Sequence, residues 1–439
     1  MGTVNISTNL SKRFAPQRKL LRGWIANPWL AVVITGLAYT ARAWKYIARP
    51  QLYAEDGFIW LADGYNKGLS SLVTPLNGFF HLPERIFGLV MAQLPLQFAP
   101  FLFNIAALVL FCVTVWYLFS NRTKILEGTY QRLFVMLALC LIANVEEFFF
   151  NFSNSIFLLG IIGVLLVIAK PSQRKGVRIA EAVLFALSCF TLPFAFFYLP
   201  ILVFERWRFK AKNNVYLVIA GLGSIVQLIT YLTAHAERSV VTFKALLTSQ
   251  YTVLEIYNQI VMPALRFGRL DYALRSGRSG AIMAGLVVGL CILLSLLALR
   301  SANKQTRYLL FFFALMTAAS LKSPIVISES PVKAIAFMAG ATGGDRYFIF
   351  GIIGLYIMFA KFSFEYLRPS TRYPALASYI IFGLLTSVQT RSLVINKNFQ
   401  DFRQAYREGV QKIQTKGNTE TVVMPENPVG FSITLKPKK

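Results

Sequence analysis

Histidine is nearly absent from this chain of 439 residues, which has only His81 and His235, and cysteine is rare, at Cys112, Cys140, Cys189 and Cys291. Two dispersed histidines have no metal-ligand spacing. Each cysteine sits alone inside an apolar run, where a thiol behaves as a small hydrophobe. Neither a disulfide framework nor a metal cluster is indicated, and no cofactor is expected. Charge is scarce too: 15% of residues are charged against 56% hydrophobic, with a mean hydropathy of +0.54. That is too apolar for a soluble protein, whose surface must be largely polar. Acid is the scarcer sign, 19 Asp and Glu against 45 Lys and Arg, for a formal net charge of +26. No separate soluble domain stands out, no internal repeat is evident, and no small-residue cleavage site follows the basic N-terminus.

What is present is a succession of apolar runs of about 20 residues with basic punctuation, the pattern of a polytopic helical membrane protein. The expected fold is therefore an all-α polytopic membrane bundle. Residues 1–23 read as a cytoplasmic tail, 24–390 as a transmembrane bundle with an outer loop at 45–97, and 391–439 as a small outer-face appendage. Spans are expected at 24–44, 98–120, 133–145, 155–169, 215–233, 280–299, 308–326, 347–364 and 373–390, with residues 86–94 lying along the interface. Basic clusters at Arg174, Lys175 and Arg178 and at Arg206, Arg208 and Lys210 flank a single apolar stretch, 179–204. If both clusters face the cytoplasm, that stretch must turn back at Thr191-Leu192-Pro193, and such a hairpin would line a site; the plainer alternative is a single tilted helix kinked at the proline. The count is about eleven crossings, N-terminus inside and C-terminus outside. In the tail, 398–413 has one apolar helical face, and 421–435 reads as a hairpin turning at 427–430.

The chemistry is expected first at Glu55 and Asp56, just after the first span. Two adjacent acids ringed by Tyr53, Phe58 and Trp60 suit a general base in a dry-walled pocket. The plainer reading is that they favour the start of a helix over 58–66. Glu146 and Glu147 form a second acidic pair in an outer loop. Asn151 and Asn154, three residues apart, either present amides to sugar hydroxyls or cap the span that follows. The stretch 340–347 combines glycines, a helix start and Arg346 beside Tyr347, which suits a lipid phosphate; Arg85 and Lys333 are further cationic candidates. His81 is a candidate hydrogen-bonding group at the pocket rim. So much basic residue beside membrane spans favours membrane lipids and lipid phosphate as partners over nucleic acid.

Several of these segments taken together, Ala54-Glu55-Asp56-Gly57, His81-Leu82-Pro83-Glu84-Arg85, Glu147 with Asn151 and Asn154, Gly343-Gly344-Asp345-Arg346-Tyr347-Phe348 and the stretch 424–433, resemble the GT-C superfamily of membrane glycosyltransferases. The resemblance is to a bacterial subgroup that decorates surface glycans such as O-antigen. It implies a GT-C-type bundle of the bacterial cytoplasmic membrane acting on its outer face. It also implies a polyprenyl-phosphate-sugar donor, with undecaprenyl phosphate as carrier, a lipid-linked glycan acceptor, and Glu55 or Asp56 as catalytic base. A transporter or flippase of lipid-linked glycan would instead need charges at mid-bilayer and internal repeats. A polymerase of lipid-linked oligosaccharide would rely on arginine-rich outer loops, as at Arg266, Arg269, Arg275 and Arg278.

Overall fold

The structure is a computed structural model that describes residues 23–142, 150–209, 214–234, 241–265, 277–322, 333, 336, 345–389 and 400–438. The expectations at Glu146 and Glu147, at 340–344 and at Arg266, Arg269 and Arg275 lie outside the described residues, and Arg278 falls in the first turn of a helix. The chain is mostly helical. Its principal helices are α1 (Pro28–Arg42), α2 (Leu82–Met91), α3 (Ala99–Phe119), α4 (Thr129–Cys140), α5 (Phe152–Ile168), α6 (Lys175–Cys189), α7 (Phe194–Phe209), α8 (Asn214–Thr233), α9 (Gly277–Ser301), α10 (Lys304–Lys322), α11 (Ile349–Tyr366), α12 (Pro369–Gln389) and α13 (Arg403–Gln414). One antiparallel hairpin, β1 (Val422–Glu426) with β2 (Phe431–Leu435), closes the chain in the register that pairs Met424 with Ile433. The tail therefore folds as a helix and hairpin, as expected, although the helix begins only at Arg403, with 400–402 outside it.

Four described helices are long and apolar enough to cross a membrane, Leu96–Phe119, Asn214–Thr233, Ser279–Ser301 and Arg346–Tyr366, and each coincides with an expected span. This is a membrane protein. The helices differ in what they face. Arg346–Tyr366 buries 61% of its most apolar window inside the protein, whereas Asn214–Thr233 buries 22% and Ser279–Ser301 28%. The last two therefore present apolar side chains outward along their length, Val218, Leu222 and Ile225 on α8 and Leu286, Leu290 and Leu293 on α9. In water each such exposed side chain forgoes about 1.5–3 kcal/mol of burial, which lipid supplies instead.

At the centre is α5, all 17 of whose residues are buried. A helix hydrophobic all round is a core element, and α5 packs against α3, α6, α7 and α10. Its Phe157 meets Phe194 and Phe350 edge-on, and Gly160 lets the Phe194 ring approach. The stretch 179–204 breaks where proline predicts: α6 ends at Cys189 and α7 begins at Phe194. Leu82 N–H donates to Phe190 O at 3.0 Å, which ties that turn to the start of α2. A second, smaller core lies at the end of the bundle where α5 begins. It joins Trp60, Leu61, Met91, Phe103 and Phe152 to Tyr406, Val410, Met424 and Ile433 of the tail. Tyr406 Oη donates to Leu96 O at 2.8 Å, so α13 and the hairpin are docked onto the 45–97 segment.

Candidate functional site

The site is built on a tight bend at Tyr53–Gly57. Ala54 takes a positive φ of 49°, which costs a residue with a Cβ about 1 kcal/mol or more. The bend is held from the tail, with Ala54 N–H donating to Asn427 O at 2.5 Å. The chain then enters one turn of π-helix, Asp56–Leu61, a wide turn often found where side chains are presented for function. The two acids leave this bend in different directions.

Asp56 goes inward and is fully buried. Its Oδ1 accepts from Ser153 N–H at 2.8 Å and Ser153 Oγ–H at 2.6 Å, and its Oδ2 accepts from Phe152 N–H at 3.0 Å. Both oxygens are thus taken by the first turn of α5, whose positive end favours an anion. An acid does serve a helix start here, but the helix is not the one that follows it in sequence. Asp56 caps one that begins 96 residues later, and Asn151 completes the cap by accepting from Asn154 N–H at 3.0 Å. Ser153 Oγ also accepts from Trp60 Nε1–H at 2.6 Å, which fixes the indole against the site.

Glu55 goes the other way, into a cleft of about 100 Å³ that opens to solvent and is lined also by His81, Asn154, Arg346, Tyr347 and Leu192. Its Oε2 is buried with no hydrogen-bond partner. Five of the residues singled out in the sequence therefore meet at one place, from four separate segments. His81 Nδ1 lies 2.8 Å from Glu84 Oε1; with the ring proton on Nδ1, Nε2 is the atom left for a ligand. Arg346 stacks its guanidinium over the Tyr347 ring at 5.1 Å and donates from Nη2 to Tyr347 Oη at 3.2 Å. Tyr347 in turn meets Phe157 of α5 edge-on. Leu192 comes from the turn between α6 and α7, so that hairpin does line the site.

Two candidate cations lie elsewhere. Arg85 is 2% exposed, pairs with Asp63 and lies 4.7 Å above the Trp60 ring. It supports the floor of the cleft from behind and is not positioned to hold a phosphate within it. Lys333 is exposed and outside the cleft lining.

Three contributors escaped the sequence reading. Ser153 carries the link from Trp60 to Asp56. Gln227, fully buried in α8, clamps the extended segment before His81: it accepts from Phe80 N–H at 3.0 Å, donates to Phe80 O at 2.9 Å, and also donates to Thr191 O of the α6–α7 turn. A lone glutamine in an apolar span was the available signal, because an amide there must find partners. Glu426 of β1 is the third. Its Oε1 accepts from Phe58 N–H at 2.9 Å, and it packs so closely on Gly57 that any side chain at that position would collide with its carboxylate.

Three carboxylates thus share one bend, and two are strongly perturbed. Burial pushes Asp56 up to about 7, against the lowering effect of its hydrogen bonds from Ser153 and Phe152 and with a further rise from the Glu55 charge. Burial first, then the nearby Asp56 charge, pushes Glu426 up to about 9. Each value lies above that of the same group in an open chain, so the folded form holds protons that the open form releases. Stability from this source is fully present below the open-chain values and is lost as pH rises. For Glu426 the window runs from the ordinary glutamate range to about 9. Docking of β1–β2 should therefore weaken about tenfold per pH unit across it and then level off. Amide exchange in 422–435, corrected for intrinsic rates, should show this slope, and Glu426→Gln should abolish it. An equal slope in that variant would assign the effect to other groups.

Comparison of the chain with protein-family models, with curated proteins and with solved structures finds no match.

Proposed function

We propose that this protein is an inverting glycosyltransferase of the GT-C type. It moves a sugar, glucose or a similar hexose, from polyprenyl phosphate to a hydroxyl of a lipid-linked surface glycan such as O-antigen. In this reading the bundle crosses the bacterial cytoplasmic membrane about eleven times, with the N-terminus inside and the cleft and tail on the outer face. The observation that carries it is the convergence of Glu55, His81, Asn154, Arg346 and Tyr347 on one cleft. A carboxylate with an unpartnered oxygen and a guanidinium line the same small space, and an amide and an imidazole nitrogen lie beside them. The site also lies at the first turn of α5 and not at the middle of a helix, which favours an enzyme acting at the membrane face over a carrier with mid-bilayer charges.

The chemistry balances with these groups. Glu55 takes the proton of the acceptor hydroxyl as its oxygen attacks the anomeric carbon from the face opposite the phosphate. The bond from that carbon to the phosphate oxygen breaks, and the electron pair leaves with polyprenyl phosphate, whose added charge Arg346 meets. A phosphate leaves without protonation, so one base and one cation are enough. In this reading His81 and Asn154, which line the cleft, hold sugar hydroxyls. Asp56 acts on Glu55 through the bend, by anchoring it to α5.

Purified protein supplied with radiolabelled polyprenyl-phosphate hexoses and lipid-linked glycan acceptors should yield a glycosylated acceptor of inverted anomeric configuration. Retention of configuration would exclude the single displacement. Uptake of lipid-linked glycan into vesicles without any transfer would replace the enzyme reading with a carrier.

A further inference from the structure

At the other end of α5, about 25 Å from Asp56 by the rise of a 17-residue helix, lies a groove of about 590 Å³ between α5, α6 and α8. Three cations and one acid line it: Arg122, Lys175, Arg178 and Glu181. The acid is already satisfied. Glu181, 3% exposed, accepts from Arg122 Nη1 at 2.5 Å and Nη2 at 3.0 Å and from Tyr117 Oη at 2.9 Å. Arg122 is itself held by donating from Nε to Lys170 O at 2.8 Å. The Arg122–Glu181 pair is therefore a closed, neutral floor. Lys175 and Arg178 are exposed at the mouth, one helical turn apart on α6; the acid nearest along the helix, Glu181, is engaged by Arg122 and Tyr117, and neither cation forms an ion pair among the described residues.

The walls are apolar. Ile179 and Ala182 of α6, Leu166 and Val167 of α5 and Val215 of α8 line the groove, and exposed Val183 on α6 and Val218 and Leu222 on α8 follow at helical spacing beyond it towards the cleft end. A free phosphate would use the two cations and leave this strip bare. A phospholipid uses both. We propose that the groove is a binding site for an anionic glycerophospholipid, with its phosphate between Lys175 and Arg178 and an acyl chain along the α6–α8 strip. Basic recesses between membrane helices recognise anionic headgroups in this way, each Lys or Arg strengthening binding by roughly fivefold. The site is separate from the cleft and does not depend on the reaction proposed there. Because α6 also leads to the turn that carries Leu192, a lipid seated here would steady the hairpin that lines the cleft.

The test is native mass spectrometry of the full chain in detergent, with phosphatidylglycerol or phosphatidylcholine added. Phosphatidylglycerol should be retained preferentially, and K175Q/R178Q should weaken its retention by about tenfold or more while leaving phosphatidylcholine unaffected. Both residues are exposed, so the variant should melt like the parent, and a shared melting temperature is the control for folding. Equal retention of the two lipids would overturn the proposal, as would a double variant that holds phosphatidylglycerol like the parent. Displacement of the lipid by millimolar inorganic phosphate would show a free-anion site instead. In the other direction, Ile179→Asn should reduce lipid retention while sparing any affinity for inorganic phosphate.

Discussion

Glu55→Gln should give a protein that melts like the parent and transfers sugar at least about a hundredfold more slowly, the scale of a lost general base. The substitution is nearly isosteric and breaks no hydrogen bond at Oε2, which has none. Its effect should therefore fall on turnover and leave the fold alone. Asp56→Asn should behave in the opposite way. An amide in that position turns an NH2 towards donors that now meet a carboxylate, the N–H groups of Phe152 and Ser153. Two donors facing one another at a buried site cost about 1–3 kcal/mol. The substitution would thus loosen the start of α5 and lower the melting temperature, with any loss of rate following from a displaced bend. Melting curves beside single-turnover rates separate the two acids. A normal rate in Glu55→Gln with an unaltered melt and a slow rate in Asp56→Asn would exchange their roles. Parent-like rates in both would remove the bend from the mechanism.

That the two acids part company was not readable from their adjacency. Periodicity and charge bias report on local geometry and on the side of a membrane, and those features were legible. The break at Thr191-Leu192-Pro193, the docked tail helix and the hairpin turning after Glu426 all follow from proline, basic clusters and alternation within short windows. So does the membership of the cleft, in part: Glu55, His81, Asn154, Arg346 and Tyr347 stand out by their chemistry and meet in space. What stayed hidden was every pairing between distant segments. Arg85 suits a phosphate as any guanidinium does, yet Asp63 on the neighbouring helical segment and the Trp60 ring occupy it. Asp56 resembles half of a catalytic pair because nothing local marks the start of α5 as its partner. Glu426 stands inside a segment notable for resemblance and acquires a role only when β1 is placed against Gly57. In a membrane bundle the scarce polar side chains select one another across the fold, and one sequence shows which are available without showing which are already paired.

Arg346→Ala should lower transfer by about a hundredfold and weaken donor binding less than that, because the demand for positive charge grows during the reaction. A polyprenyl phosphodiester carries one negative charge before the sugar leaves and a second develops as it departs. A fixed cation at the cleft therefore stabilises the transition state more than the ground state. Arg346 has the restricted geometry that such a role would need. Stacking on Tyr347 and the hydrogen bond to its hydroxyl restrict the guanidinium, and Tyr347 is fixed by Phe157 and by Ser320 Oγ, which donates to its carbonyl at 3.0 Å. Arg346→Lys should restore the charge but neither the planar fork nor the stacked geometry, and recover only part of the rate. Tyr347→Phe keeps the stacking and removes one hydrogen bond, so its rate should lie nearer the parent's. The order parent, Tyr347→Phe, Arg346→Lys, Arg346→Ala in single-turnover transfer, with a shallower order in donor affinity, is the expected result. If the alanine variant binds and transfers like the parent, the leaving phosphate is met elsewhere. Arg85 is committed to Asp63 and Lys333 lies outside the lining, so the search would then pass to main-chain N–H groups at the first turn of α11.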